Sequence, residues 1–315
     1  MHQTYDINVE GFDPLISPDR FKQEHKMTQE SMETVMRGRQ EIKDILSGKD
    51  PRLMVITGPC SVHDEKAALE YAEKLVELQE KVKDTFLVIM RVYFEKPRTT
   101  IGWKGLINDP HMDGRRDLTE GLNRARKLLL AITAMGVPTA TEFLDPFIPQ
   151  YIAGLVCWAA IGARTTESQT HREMASGLSM PVGFKNCTDG ALNTAINSLI
   201  AARSPQSFLG VDPQGRVGIV STKGNPDTHI VLRGGRRPNY DSVSIREATE
   251  SLKEKNLSGA IVVDCSHANS GKKFSGQKIV WEDVINQYIN GNTAIKGLML
   301  ESNLKTGRQD IKTGS

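Results

Sequence analysis

Arg91, Lys96, Arg98 and Lys104 fall within one short segment that also carries Pro97, Gly102, Gly105 and Pro110. The turn residues forbid a regular element that would carry these charges away into solvent, so the segment suits the holding of anions. A solvated basic loop is the ordinary alternative, because loops are polar by default. Against that alternative, Tyr93, Phe94 and Trp103 are interleaved with the cations, and similar residues recur downstream: Ala163-Arg164 after Gly162, Lys185, and Arg233 before Gly234-Gly235. The glycines let backbone N–H groups approach a phosphate closely. So many cations facing one cavity repel one another unless anions fill it, and phosphate and carboxylate groups are the natural complement. Cys60, His267 and Glu301 form a second class, offering soft, borderline and hard donors that suit a divalent transition metal better than Mg2+ or Ca2+. Singly, a cysteine is more often a small core residue and a histidine a hydrogen-bonded structural group. Their joint placement after three different strands favours ligation.

Such scattered residues act together only if the fold collects them. From residue 53 onward, short apolar runs alternate with amphipathic helical stretches. The pattern predicts strands at 53–57, 87–92, 139–144, 159–164, 182–185, 230–232, 260–263 and 297–300, with helices between them such as 65–83 and 119–135. Nearly all the runs are short and apolar, as strands buried on both faces must be. The fold class is therefore α/β, a (β/α)8 TIM barrel. An open doubly wound sheet is disfavoured because no Gly-x-Gly-x-x-Gly follows the first strand. The active face of a barrel lies at its strand C-termini, where Cys60, Arg91, Glu142, Arg164, Lys185, Arg233, Asp264, His267 and Glu301 all fall. Residues 208–211 and 217–222, around Asp212-Pro213-Gln214-Gly215, read as an inserted β-hairpin. Residues 1–50 are expected to be a regulatory or oligomerising extension, with a helix opened by Ser17-Pro18, and 51–315 the catalytic barrel. The stripe Met32, Val35, Met36, Ile42, Ile45 and Leu46 suggests a subunit interface. Cys157 reads as helix core, and Trp158 and Trp281 as packing.

At 315 residues, with 38% hydrophobic and 25% charged residues and a formal charge of +2, the chain has no global attraction to nucleic acid or to an anionic membrane. Neither partner is expected. The uncharged stretch at 151–163 falls short of the ~20 residues a spanning helix needs. Four cysteines without a Cys-x-x-Cys pair, after a polar start, predict a reducing cytoplasm.

Several longer motifs carry a family resemblance. Gly58-Pro59-Cys60-Ser61-Val62-His63-Asp64, the 91–114 loop, Gly162-Ala163-Arg164-Thr165-Thr166-Glu167-Ser168, Pro181-Val182-Gly183-Phe184-Lys185-Asn186, Leu232-Arg233-Gly234-Gly235, Asp264-Cys265-Ser266-His267-Ala268-Asn269-Ser270 and Glu301-Ser302 occur in order. With them, the chain from about residue 35 to its end resembles the type I, metal-dependent, feedback-regulated 3-deoxy-D-arabino-heptulosonate-7-phosphate synthases. The resemblance implies a transferase that condenses phosphoenolpyruvate with D-erythrose 4-phosphate and water, giving the seven-carbon keto acid and phosphate in the first step of the shikimate pathway. It further implies that Arg164, Lys185, Arg233 and the Ala163 N–H hold the enolpyruvate phosphate, with Arg91, Lys96 and Lys185 near its carboxylate. Arg98 and Thr99 would hold the sugar phosphate. Cys60, His267 and Glu301 would bind one divalent transition metal ion, Mn, Fe, Co or Zn. Glu142 would position the attacking water, and Lys96 or His267 would protonate the new alkoxide.

The resemblance extends to regulation. It implies an aromatic amino-acid effector held by Pro149, Gln150, Met174, Leu178, Ser179, Phe208, Gly210 and Val220, with Asp6 from a neighbouring subunit of a homodimer or homotetramer. Gly210 and the 173–180 stretch look more like the tyrosine-sensitive form. The family's final loop and helix, which supply an aspartate as fourth metal ligand, have no counterpart before Ser315, so a truncated barrel is expected. A chain that stops there admits a rival, a non-catalytic effector-binding paralogue. The alternative enzyme is a 3-deoxy-octulosonate 8-phosphate synthase, which the extension and Lys96-Pro97-Arg98-Thr99 disfavour.

Overall fold

Each short apolar run becomes a strand because both its faces are covered, one by the barrel interior and one by helices. The computed structural model describes residues 4–307. The N-terminal part holds α1 (Pro18–Glu24) and α2 (Gln29–Ser47). Then come β1 (Leu53–Gly58), α3 (Glu65–Val82), β2 (Phe86–Arg91), α4 (Leu118–Ala134), β3 (Thr139–Glu142) and the short α5 (Pro149–Ile152). They are followed by β4 (Trp158–Ile161), α6 (Gln169–Gly177), β5 (Val182–Lys185) and α7 (Asn193–Arg203). A hairpin of β6 (Ser207–Val211) and β7 (Val217–Ser221) precedes β8 (Thr228–Leu232), α8 (Ser242–Glu254), β9 (Ile261–Asp264), α9 (Gly276–Ile289) and β10 (Ile295–Glu301).

The sheet closes in the order β1-β10-β9-β8-β5-β4-β3-β2, parallel throughout, with the antiparallel hairpin outside it. Two-residue alternation sorts the side chains. Met54 and Ile56 of β1, Leu87 and Ile89 of β2, and Ala140, Trp158, Ala160, Val231, Val262 and Met299 fill the interior, while Leu53, Val88, Met90 and Ile161 pack outward. The (β/α)8 expectation holds. Strands β3 and β4 stop two or three residues earlier than expected, because the chain turns there to deliver its polar residues to the rim.

The extension differs from the reading of one helix. Thr28 ends the break between α1 and α2 by accepting the Ser31 N–H at 3.2 Å as an N-cap. Val35, Ile42 and Ile45, none more than 3% exposed, join the interior cluster with Met54, Ile56 and Trp158, so α2 closes the N-terminal end of the chain's own barrel. Val35, Ile42, Ile45 and Leu46 of the stripe are thus covered within this chain, and Met32 and Met36 are exposed. Gly38 permits the approach, since a Cβ there would stand 3.1 Å from both Cys157 Sγ and Pro138 Cβ. Cys157 accordingly lies beneath α2 just before β4, rather than inside a helix. Arg39 reinforces the seam by donating to the Ala153 and Val156 carbonyls. Among the described residues no helix is long and apolar enough to cross a membrane. The expectation about the end of the chain concerns 308–315 and lies outside the described residues.

At the barrel base Trp158 Nε1 donates to His229 Nε2 at 3.1 Å, and His229 is 1% exposed. Burial pushes its pKa down from 6.5 to about 3. Below pH 6.5 the unfolded chain therefore takes up a proton that the folded chain refuses, so this stability is complete above 6.5 and is lost as pH falls toward 3. Stability should drop by about 2 kcal/mol between pH 6.5 and about 5 from this residue alone. Urea unfolding of the wild type and of His229→Gln, which keeps an acceptor for Trp158, checks it: the difference between them should vary with pH, and parallel pH profiles would contradict it.

Candidate active site

Asp264, at the end of β9, is fully buried. Its Oδ2 accepts Lys185 Nζ at 3.0 Å and lies 2.8 Å from His267 Nδ1, while Oδ1 accepts the Ser266 backbone N–H at 3.0 Å and the Ser266 hydroxyl. Burial alone would raise the carboxyl pKa, but the His267 and Lys185 charges and these hydrogen bonds hold it well below the usual carboxylate range. The carboxylate thus ties Lys185 of β5 to His267 in the loop that follows β9. His267 itself adopts a left-handed backbone, φ +53°, uncommon for a non-glycine residue. With Nδ1 turned to Asp264, its Nε2 lies 3.8 Å from Glu301 Oε1.

Arg91, at the end of β2, is 3% exposed and spans the same rim. Its Nε donates to Pro59 O at 3.1 Å, and Nη2 to Cys60 O at 3.3 Å and Glu301 Oε1 at 3.1 Å. Burial works against its charge, but Tyr93, Glu301, Cys60 and Asp264 more than offset this and raise its pKa. For Glu301, burial pulls upward, and Arg91 with His267 brings the pKa below its ordinary value. Across the mouth Arg233 is held by its backbone N–H on Asn186 Oδ1 at 2.8 Å. Its pKa is lowered by burial and by Arg164, against the pull of Asp264. Like charges therefore face one another with few carboxylates between them. The Glu142 carboxylate lies against Gly162, where a Cβ would stand 2.2 Å from Glu142 Oε1, so a larger residue at 162 would displace it.

The interleaved aromatics of the 91–114 segment prove to be its anchors. Tyr93, Phe94 and Trp103 are buried at 5% exposure or less, and Trp103 Nε1 donates to Asp109 O at 2.7 Å. Lys96 N donates to Lys104 O at 2.8 Å, closing the loop on itself. Lys96 Nζ donates to Cys60 Sγ at 3.1 Å, whereas Arg98 and Thr99 are exposed, with Arg98 Nε donating to Trp103 O at 2.7 Å.

Glu95 was not singled out by sequence reasoning. It is 5% exposed and accepts the Leu144 and Asp145 N–H groups at 3.2 and 3.1 Å, tying the residue before Lys96 to the loop after Glu142. Burial pushes its pKa up to about 8 against those two hydrogen bonds. Its only signal was a carboxylate placed between Phe94 and a cation cluster. Asn186 and Asn269 stood in the sequence motifs without a role, and Asn239 was not named. Asn186 and Asn239 brace the 233–234 turn, and Asn269 donates to the Leu232 and Asp264 carbonyls.

The expected three-ligand metal group is not closed. Among the described residues no three His, Cys, Asp or Glu side chains gather on one point. His267 Nε2 and Glu301 Oε1 do converge, and the exposed Cys60 sits on the same rim, linked to Glu301 through Arg91, but its thiol contacts Lys96 instead. The donor chemistry fits a borderline divalent cation, provided that the Cys60 thiol turns away from Lys96.

The proposed effector residues are partly gathered. Phe208, Gly210 and Val220 share the inner face of the hairpin, where a Cβ on Gly210 would stand 2.6 Å from Val220 Cγ2. Met174, Leu178 and Ser179 lie at the end of α6, which Ser176 Oγ joins to Thr222 Oγ1 of the hairpin side at 2.6 Å. Pro149 and Gln150 begin α5, half-buried. Asp6 is on the exposed N-terminal segment.

A family model described as the DAHP synthetase I family matches residues 24–315. The Tyr-sensitive phospho-2-dehydro-3-deoxyheptonate aldolase of Escherichia coli strain K12 is 51% identical over 303 residues, covering 96% of this chain and 85% of that protein. The Phe-sensitive enzyme of the same strain is 50% identical over 313 residues, covering 99% and 89%. The solved structure of phospho-2-dehydro-3-deoxyheptonate aldolase from Francisella tularensis SCHU S4 superposes with a TM-score of 0.94 at 47% identity, covering 96% of this chain and 89% of that one.

Proposed function

The chain belongs to the DAHP synthetase I family and has that family's 3-deoxy-7-phosphoheptulonate synthase activity, under feedback control by an aromatic amino acid; from this premise we propose how its own residues perform the reaction. The observation that carries the reading is the excess of cations at one barrel mouth: Arg91, Lys96, Arg98, Arg164, Lys185 and Arg233 face few carboxylates, and the buried Arg91 Nη1 has no partner among the described residues. Phosphoenolpyruvate and erythrose 4-phosphate are the complement. Arg164, Arg233, Lys185 and the Ala163 N–H take the enolpyruvate phosphate, and Arg91, Lys96 and Lys185 its carboxylate. Arg98 and Thr99, exposed at the outer edge, take the sugar phosphate.

C3 of phosphoenolpyruvate attacks the aldehyde carbon, forming the new C–C bond, and the aldehyde oxygen takes a proton from Lys96 or His267. Water positioned by Glu142 adds at C2, and the hemiketal phosphate collapses with C–O cleavage to the ketone and inorganic phosphate. The cations stabilise negative charge as it accumulates in each step. Cys60, His267 and Glu301 would hold one divalent transition metal ion, Mn, Fe, Co or Zn, which when bound supplies Lewis-acid polarisation of the aldehyde. Asp264 orients His267 for that role by engaging Nδ1 and leaving Nε2 toward Glu301.

The feedback site is proposed at the hairpin and the end of α6, with Pro149 and Gln150 from α5 and Asp6 from a second copy of the chain. In favour of a homodimer or homotetramer, Leu209, Val217 and Ile219 form an exposed apolar row on the outer hairpin face, and Tyr5, Ile7 and Phe12 are exposed on the N-terminal segment. The unpaired cysteines fit a reducing cytoplasm.

Phosphate release assayed with both substrates and Mn2+, against an EDTA control, tests the reading. Lys96→Ala should lose turnover by about a hundredfold or more with an unchanged melting temperature, since Lys96 is only half-buried; near-normal turnover would remove Lys96 from the mechanism. In the same assay tyrosine should inhibit at lower concentration than phenylalanine or tryptophan. Stronger inhibition by either of the others would reverse the assignment made from Gly210 and the 173–180 stretch.

A further inference from the structure

Among the described residues only four buried side-chain polar atoms lack a hydrogen-bond partner: Arg91 Nη1, Tyr93 OH, Thr228 Oγ1 and His229 Nδ1. They fall into two pairs. Thr228 and His229 lie at the start of β8, the closed end of the barrel, whereas Arg91 and Tyr93 lie at its mouth. Leaving a buried donor unmade costs on the order of 1–3 kcal/mol, so a pair of such donors at the mouth is tolerated where a ligand completes them.

Tyr93 continues the inward-facing series Leu87, Ile89 and Arg91, belongs to the interior cluster and is 2% exposed. Arg91 Cζ lies over its ring, 3.7 Å from the ring centroid. The stack holds the guanidinium over the ring face while the hydroxyl projects from the ring edge, so neither orphan can satisfy the other without breaking the stack. Burial, reinforced by Glu142, Asp264 and Glu301 against the opposing Arg91 charge, raises the phenol pKa and keeps it a donor.

Resting on the reading of the mouth as an enolpyruvate site, we infer that Tyr93 is a substrate-binding residue: its hydroxyl donates a hydrogen bond to the phosphoenolpyruvate carboxylate that Arg91 Nη1 also engages. The phenol supplies a neutral donor beside a charged one, and the stack sets the plane of the guanidinium before the substrate arrives.

Tyr93→Phe keeps the ring and its stack and removes only the donor. Calorimetric titration with phosphoenolpyruvate should show its Kd raised about tenfold or more, as for a lost hydrogen bond to a charged group. In turnover the loss should fall on the phosphoenolpyruvate KM more than on kcat, with the erythrose 4-phosphate KM moved by less than about twofold. A packing role would instead lower the melting temperature and disturb both substrates together. An unchanged phosphoenolpyruvate Kd in the variant, beside measurable binding by the wild type, would overturn the inference and leave the proposed function standing. A wild type that binds no phosphoenolpyruvate would sink both. Should the variant not fold, a crystal structure of the wild type with phosphoenolpyruvate decides: the hydroxyl should lie within about 3.2 Å of a carboxylate oxygen, and a separation beyond about 4 Å would refute it.

Discussion

The carboxylate of Asp264 lies in the interior of the protein, and two cationic or potentially cationic groups from separate parts of the chain, Lys185 and His267, meet on one of its oxygens. Stripping solvent from an anion there costs several kcal/mol, and removing one partner of such a pair typically destabilises by about 3–5 kcal/mol because the other charge is stranded. The barrel therefore closes with β5 and β9 held at this point even though β8 lies between them. Once that oxygen is committed, the imidazole ring is oriented, Nε2 points toward Glu301, and Glu301 in turn meets Arg91. One chain of contacts thus runs from β5 through β9 and β10 to β2. The placement of Lys185, His267, Glu301 and Arg91 at the mouth depends on it.

What surrounds that chain is arranged to wait for anions. The exposed Arg98 rests on its own loop, Lys96 on a thiol, and Arg91 on carbonyls and one carboxylate, with an amino group left over. These are weak or partial partners. A phosphate or carboxylate offers each cation a charge-assisted bond that the free protein does not supply, so binding energy is concentrated where charge will develop during the reaction. The loop that carries three of these cations stays folded because Tyr93, Phe94 and Trp103 are sunk into the core, while Glu95 ties it to the strand end bearing Glu142.

Much of this was legible before any coordinates. Short doubly buried strands have a strong apolar signature, and every barrel strand fell within a few residues of its expected place. Helix α2 was visible as a stripe, but a stripe records only that a face is covered. That its cover is the barrel's own closed end depends on Gly38 meeting Cys157 and Pro138, contacts between residues about a hundred positions apart. Asp264 was placed at the mouth without a role, since nothing local marks a carboxylate that will be paired with Lys185. Glu95 and Asn239 were missed, and Asn186 and Asn269 left without a role, for the same reason: their partners are backbone groups of other loops, which leave no trace in residue type. The metal donors were named from their strand ends, yet the contact between Cys60 and Lys96 could not be foreseen from spacing.

The most direct test of Asp264 as organiser of the mouth is the tautomer of His267, read from the nitrogen chemical shifts of 15N-histidine-labelled protein and assigned with a His267→Asn variant. Asp264 engaging Nδ1 requires a proton on Nδ1, which in the neutral ring leaves the lone pair on Nε2. A neutral ring protonated on Nε2 would contradict the account, because Asp264 would then receive no proton from the ring and could not be what orients it.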